Sequence, residues 1–397
     1  MRRSSRTSRL PRAFTLVEVL VSTAVLSLML VMLISLLDQT RKIWQSTTTK
    51  IGAFQDARIA FESMTRNISQ ATLNTYYEYF DSAGRTPADS YYTTNPFTPS
   101  SYGRYSELHF ITGPGSALVP TVNDASGGGY VSNPAGQAVF FHAPLGYVDP
   151  QAASNVPVEV KQLVSQLNAV GYFLEFANDK RSLPPMVTAT NLTYRYRLTE
   201  FLQPTESLRV YSEDWTARTP YGTAAWFTAP LTSQNAQATH VMAQNIVALV
   251  IRPKRADAEE AALQKSGQSV APLCKDYQYD SRPYTTANNA ADATAKLQTH
   301  QLPPMVGVTM IAIDEPSAQR LAARYGNAAP MDQIDAPTGQ KLSGLFAQTA
   351  VSTNDAGTTP NYNADLRMFV GGLAAAKVNY RVFDTEIIIR NSKWTEK

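Results

Sequence analysis

Cysteine is nearly absent: Cys274 is the single one in 397 residues. No intramolecular disulfide can form, and a cysteine-based metal cluster is excluded. Histidine is almost as scarce. His109, His142, His240 and His300 are widely separated and form no H-x-x-x-H pair, so no zinc signature is present. The Gly-x-Ser-x-Gly nucleophile elbow and the Gly-x-x-x-x-Gly-Lys-Ser/Thr phosphate loop are both missing, which removes the common hydrolase and ATPase chemistries. A basic surplus is missing too. Arg2, Arg3, Arg6, Arg9 and Arg12 carry five positive charges with no acid among them, which turns the formal +3 of the chain into −2 for everything after Ala13. A nearly neutral body argues against nucleic acid as a partner, because phosphate binding needs a cationic face.

What the chain does have lies at its start. Arg12-Ala13-Phe14-Thr15-Leu16-Val17-Glu18 leads into Val19–Leu37, a stretch without an ionisable side chain. At 1.5 Å per residue that stretch reaches roughly 28 Å, close to the bilayer core of about 30 Å. The leader arginines add the positive-inside bias that keeps the N-terminus in the cytoplasm and sends the remainder across. Glu18 is the anomaly, since a carboxylate in a membrane helix costs on the order of 2.5–3.5 kcal/mol and such residues are usually paired. A cut between Ala13 and Phe14 creates an α-amino group one helical turn before Glu18. A neighbouring copy of the helix, shifted along its axis, brings its amine to that acid. A Sec signal peptide explains residues 1–37 less well, because its apolar region is about 7–15 residues and is cut after that region. A plain uncleaved anchor leaves Glu18 unexplained.

Phe14 to Glu18 behind a short arginine-rich leader closely resembles the class III signal of type IV pilins and type II secretion pseudopilins. The resemblance implies that a prepilin peptidase cuts after Ala13 and methylates the amine of Phe14. It makes Glu18 the assembly glutamate and places Leu16, Val17, Val19 and Leu20 in the helix core of a fibre. Where these signals usually carry Gly before the cut, this chain has Ala13. Ser35 stands near the position where pilins that melt part of this helix carry Pro, which favours the pseudopilin branch. Implied partners are the peptidase, other pseudopilins or pilin-like subunits, an inner-membrane assembly platform and membrane lipid. The implied location is the bacterial inner membrane, single-pass, with a periplasmic C-terminal head.

Beyond Leu37 the sequence turns polar without a helix breaker, and Trp44 reads as an interfacial anchor. Trp44, Ile51, Phe54, Phe61 and Ile68 form a heptad-type stripe that predicts one continuous helix to about Leu73. The expected divisions are a leader (1–13), a membrane half of the helix (14–37), a periplasmic half (38–75) and a head (76–397). Ala57–Leu73 also resembles the second half of the helix in J-type minor pseudopilins, and the size and mixture of signals resemble the Verru_Chthon cassette protein C family.

In the head, Ser106–Thr112, Gly136–Phe141, Gly171–Phe176, Asn191–Leu198, Asn245–Pro253, Leu302–Ile313 and Val378–Ile389 read as strands between Gly, Pro and Asn breakers. One long N-terminal helix followed by strands predicts an α+β fold: a pilin-like lollipop whose head is mainly antiparallel sheet with long loops. Surface excursions or flexible, disordered insertions are expected near 86–102, 256–300 and 345–363. Leu183–Val187 recurs as Leu302–Val306 without a fixed repeat period.

No cofactor, metal or catalytic residue is assigned. Asn123, Asp124 and Ser126 before Gly127-Gly128-Gly129 offer oxygens to Ca²⁺, but the spacing is not that of an EF-hand and a glycine-rich turn explains it. Asp276 and Asp280 read as solvated loop acids, and His109 and His142 as ordinary sheet residues. Tyr76, Tyr77, Tyr79, Tyr91, Tyr92, Tyr102 and Tyr105 are a dense group that fits strand packing or a protein interface. The reading that follows is a non-enzymatic structural subunit. A membrane-anchored periplasmic enzyme or carbohydrate-binding module that never polymerises is the competing class.

Overall fold

The computed structural model describes residues 16–123, 130–149, 165–183, 192–211, 225–232, 238–256, 258–259, 262, 265, 273–274, 277–282, 293–346 and 362–394. The chain divides into two compact units that meet at Ala53 and Phe54. The first is described by helix α1 (Leu16–Ala53), which runs through Ser35 without interruption. The helix expected to continue unbroken to about Leu73 instead stops at Ala53. Phe54 takes a non-helical conformation (φ −106°, ψ 1°), and α2 (Gln55–Ser69) follows as part of the second unit.

Among the described residues, the second unit is built from three antiparallel sheets. β1 (Tyr76–Phe80) and β2 (Ser101–Tyr105) form a two-stranded ribbon. The large sheet takes β3 (Ile111–Pro114), β4 (Val122–Asn123), β5 (Val131–Ala143), β6 (Asn168–Asn178), β7 (Tyr194–Gln203), β8 (Thr239–Gln244) and, after β9 (Ile246–Lys254), β10 (Tyr279–Asp280). Its order is β10-β3-β5-β6-β7-β8, with β4 also on β5. The small sheet has the order β12-β11-β9, with β11 at Met305–Ile313 and β12 at Tyr380–Ile388. Short helices complete the head: α3 (Gly115–Leu118), α4 (Ala225–Thr232), α5 (Ala293–Gln298), α6 (Glu315–Tyr325) and α7 (Tyr362–Ala375).

The large sheet is covered on both sides, and that is why β6 reads Asn-Ala-Val-Gly-Tyr-Phe-Leu-Glu-Phe-Ala-Asn with every position buried. Val170, Tyr172, Leu174 and Phe176 share one core with α2 and the small sheet. The buried stripe of α2 is Ala57, Ala60, Phe61, Met64 and Ile68, a 3.6-residue period that lays one helix face on that core. Ala169 and Phe173 point the other way, into a second core closed by Trp226, Phe227 and Leu231 of α4.

Gln137 ties the two sheets together at the bulge between Ala135 and Ala138. Its side-chain amide donates to the Phe346 carbonyl at 3.2 Å, and its oxygen accepts from the Ile251 N–H at 2.5 Å. Both partners are buried main-chain groups. Gln137→Leu is therefore expected to cost about 2 kcal/mol or more, because two desolvated polar groups lose their partners. The denaturant midpoint of the head measures this.

Six of the seven expected strands are present with shifted ends, but Ser106–Thr112 is corrected. Only Ile111 and Thr112 are in a strand; residues 106–110 run between β2 and β3. Side chains replace a ladder there. The N–H of Ser106 donates to His300 Nδ1, that of Leu108 to Asn74 Oδ1, that of His109 to His142 Nδ1 and that of Phe110 to Ser281 Oγ. Burial and β-formers made the segment look like a strand, while the partners that set its path come from four distant places. The excursion expected near 86–102 holds a 3₁₀ turn at Ser90–Thr93 and the start of β2, and the one near 256–300 holds β10 and α5. Most of 345–363 lies outside the described residues, as do Asp124, Ser126, Gly127–Gly129, Asp276 and most of Leu183–Val187.

Candidate functional site: the N-terminal helix and the polar interior of the head

Ala13 and Phe14 lie outside the described residues. Leu16, Val17, Val19 and Leu20 form the opening of α1 with Glu18 in its first turn, where a carboxylate meets the positive end of the helix dipole. Leu16–Arg41 is long and apolar enough to cross a membrane, and it is the one such helix among the described residues. Its residues Leu16–Arg41 are all exposed, an apolar surface that suits lipid or other helices. Its hydroxyls suit hydrocarbon. Ser22 donates to the Val19 carbonyl, Thr23 to those of Val19 and Leu20, and Ser27 to that of Ala24. These three hydroxyls are thus satisfied within the helix, as a medium without water requires.

Two polar networks among the described residues of the head hold buried titratable groups. The first ties α2 to the large sheet: Asn67 donates to the Tyr172 hydroxyl, which donates to Glu200 Oε1, both at 2.8 Å. Burial raises the Glu200 carboxyl above its ordinary range, against the lowering effects of Tyr172 and of His240 across the ladder. A carboxyl raised in the folded state stabilises the fold below its unfolded value and loses that contribution as pH rises through the folded value. Glu200→Gln keeps an acceptor for Tyr172 and removes the charge. It is expected to raise the melting temperature modestly at pH 7 and by less at pH 4, as calorimetry at the two values will show.

The second network corrects the reading of Asp280 and joins it to histidines that lie on or beside strands, as His142 in β5 and His109 before β3 do. His109, His142 and His300 come together from three regions of the chain. His109 Nε2 lies 2.7 Å from Asp280 Oδ1, and His109 Nδ1 accepts from Trp226 Nε1 at 3.2 Å, which places the ring proton on Nε2. Asp280 also accepts from the N–H of Arg282, so it is an organised acid and not a solvated loop residue. Both ring nitrogens of His109 are engaged, which leaves neither to take a proton from a substrate. His142 packs against Trp226 with ring centroids 4.4 Å apart, and His300 lies against Tyr105 at 5.0 Å. Among the described residues no cluster of His, Cys, Asp and Glu could hold a metal ion. The sequence carries no local signal for this cluster, because its histidines are 33 to 191 positions apart and meet only on folding.

With this geometry in place, the N-terminal helix is the part that known proteins share. Residues 9–34 match the family model described as the prokaryotic N-terminal methylation motif. The match covers the end of the leader and the first half of α1. It puts a prepilin-type cleavage and methylation signal at the start of a helix of membrane-spanning length, and it points to a membrane-anchored, pilin-like chain. No curated protein and no solved structure matches the chain.

Proposed function

We propose that the protein is a minor pseudopilin, a non-enzymatic structural subunit of a type II secretion pseudopilus or a related type IV pilus-like fibre. It is made as a prepilin, cut after Ala13 and methylated on Phe14, and held in the inner membrane by α1 with the head in the periplasm. Its partners are the prepilin peptidase, other pilin-like subunits and the assembly platform. The observation that carries this reading is the methylation motif at residues 9–34, continuous with a helix of membrane-spanning length that is apolar but for one acid near its start. In the fibre, helix surface is buried among subunits, and Glu18 neutralises the amine of a neighbour's Phe14 and so sets the register. The J-type placement rests on Ala57–Leu73, and Ser35 in place of Pro favours the pseudopilin branch. Mass spectrometry of the mature N-terminus tests the proposal: N-methyl-Phe14 is expected, and an intact Met1 in cells with a working peptidase would overturn it.

A further inference from the structure

The contact of α4 with the large sheet is aromatic at Phe140 and Phe201 and includes two histidines. Trp226 is fully buried, donates its indole N–H to His109 Nδ1 and lies over the ring of His142. His142 is likewise fully buried. Its Nδ1 sits 3.3 Å from the His109 N–H and 3.2 Å from the His109 carbonyl, and its Nε2 has no hydrogen-bond partner. We propose that His109 and His142 form an acid-operated latch, which holds α4 on the sheet while both imidazoles are neutral and releases it when either takes a proton.

Two clashes drive the release. A protonated imidazole donates from both nitrogens, so His109⁺ would turn its Nδ1–H against the Trp226 N–H that it now accepts. His142⁺ would turn its Nδ1–H against the His109 N–H that now donates to it, and its charge would be buried with no partner at Nε2. The groups around His142 do not rescue it. His109 faces it from the segment before β3, Arg282 from just beyond β10, and His300 lies beyond Arg282 on the stretch before β11. Asp280 is the carboxylate of the cluster, and it is held by His109 and by the Arg282 N–H. Trp226 of α4 does not titrate, and the β6 residue opposite His142 is Ala169. Burial, then Arg282, push His142 and His300 down to about 3, and burial lowers His109 against the opposing pull of Asp280. The sign follows: stability from the neutral rings is fully present above the unfolded histidine value near 6.5 and is lost as pH falls toward the folded values.

Hydrogen exchange on the full chain in detergent micelles, from pH 7.5 to 4.5 and corrected for intrinsic rates, tests the latch. Opening of α4 is expected to rise about tenfold per pH unit below pH 6 for each proton taken up, at a pH where the amides of β6 are still protected. His142→Gln, and independently His109→Gln, should flatten that slope. Two results would overturn the proposal. One is α4 and β6 losing protection together in the wild-type protein. The other is an unchanged slope in whichever of the two variants folds. The wild-type profile decides the matter even if neither does.

Discussion

Glu18→Ala is expected to leave the protein in the membrane fraction and to remove it from assembled fibres, with recovery in sheared or cross-linked assemblies falling by about tenfold or more. The reasoning is electrostatic. Removing a carboxylate from a membrane helix relieves a cost on the order of 2.5–3.5 kcal/mol, so insertion is not impaired and is slightly favoured. In the proposed fibre, however, the methylated amine of a neighbour's Phe14 then faces hydrocarbon without a counter-ion. Breaking one partner of a buried pair is far costlier than never having built it, roughly 3–5 kcal/mol, which is about two to four orders of magnitude in an association constant. Glu18→Gln should behave like Glu18→Ala, whereas loss of α1 surface elsewhere, such as Leu26→Ala, should weaken incorporation only mildly. Normal incorporation of both Glu18 variants would show that the acid does not set the register.

The second large effect belongs to the head. Gly171→Ala is expected to destabilise it by about 3 kcal/mol, at the upper end of overpacking costs, with a matching drop in the urea midpoint. Gly171 lies opposite Phe140 in the β5–β6 ladder, and a Cβ built there would sit 2.1 Å from Cδ1 and 2.4 Å from Cε1 of that ring. The ring has nowhere to move. Its other face is stacked on Phe227 with centroids 3.9 Å apart, and Phe173 and Phe201 close in at about the same level, 6.2 and 6.0 Å away. Gly171 is thus the hollow into which the second core is keyed. A paired Phe140→Leu, Gly171→Ala protein should recover part of the loss, since the shorter side chain vacates the space. If Gly171→Ala alone melts like the wild type, the close approach of the ring is not a constraint on the fold.

How much of this was legible beforehand differs between the two ends of the chain. The signal at Ala13–Glu18 and the apolar run after it are local patterns, and a single helix of uniform chemistry needs no knowledge of what surrounds it. Strands β5, β6, β9 and β11 were legible for a related reason. Each lies under cover on at least one face, so apolar β-formers run almost without break between turn residues. The interruption at Phe54 was not legible. The heptad stripe passes straight through it, and Phe61 and Ile68 sit where the pattern places them, yet only the packing of α2 on the sheets separates that segment from α1. The segment 106–110 failed as a strand because its main-chain donors are taken by His142, His300, Asn74 and Ser281, which no local pattern connects to it.

The sequence by itself determined that one end of this protein is built for a membrane and for processing, because those properties follow from composition and order along some two dozen neighbouring residues. Only the tertiary structure decided that three scattered histidines, an aspartate and Trp226 share one buried interior. Hydrogen bonding and desolvation act over a few ångströms of space, and positions far apart in the chain reach that range only once the sheets have closed around them.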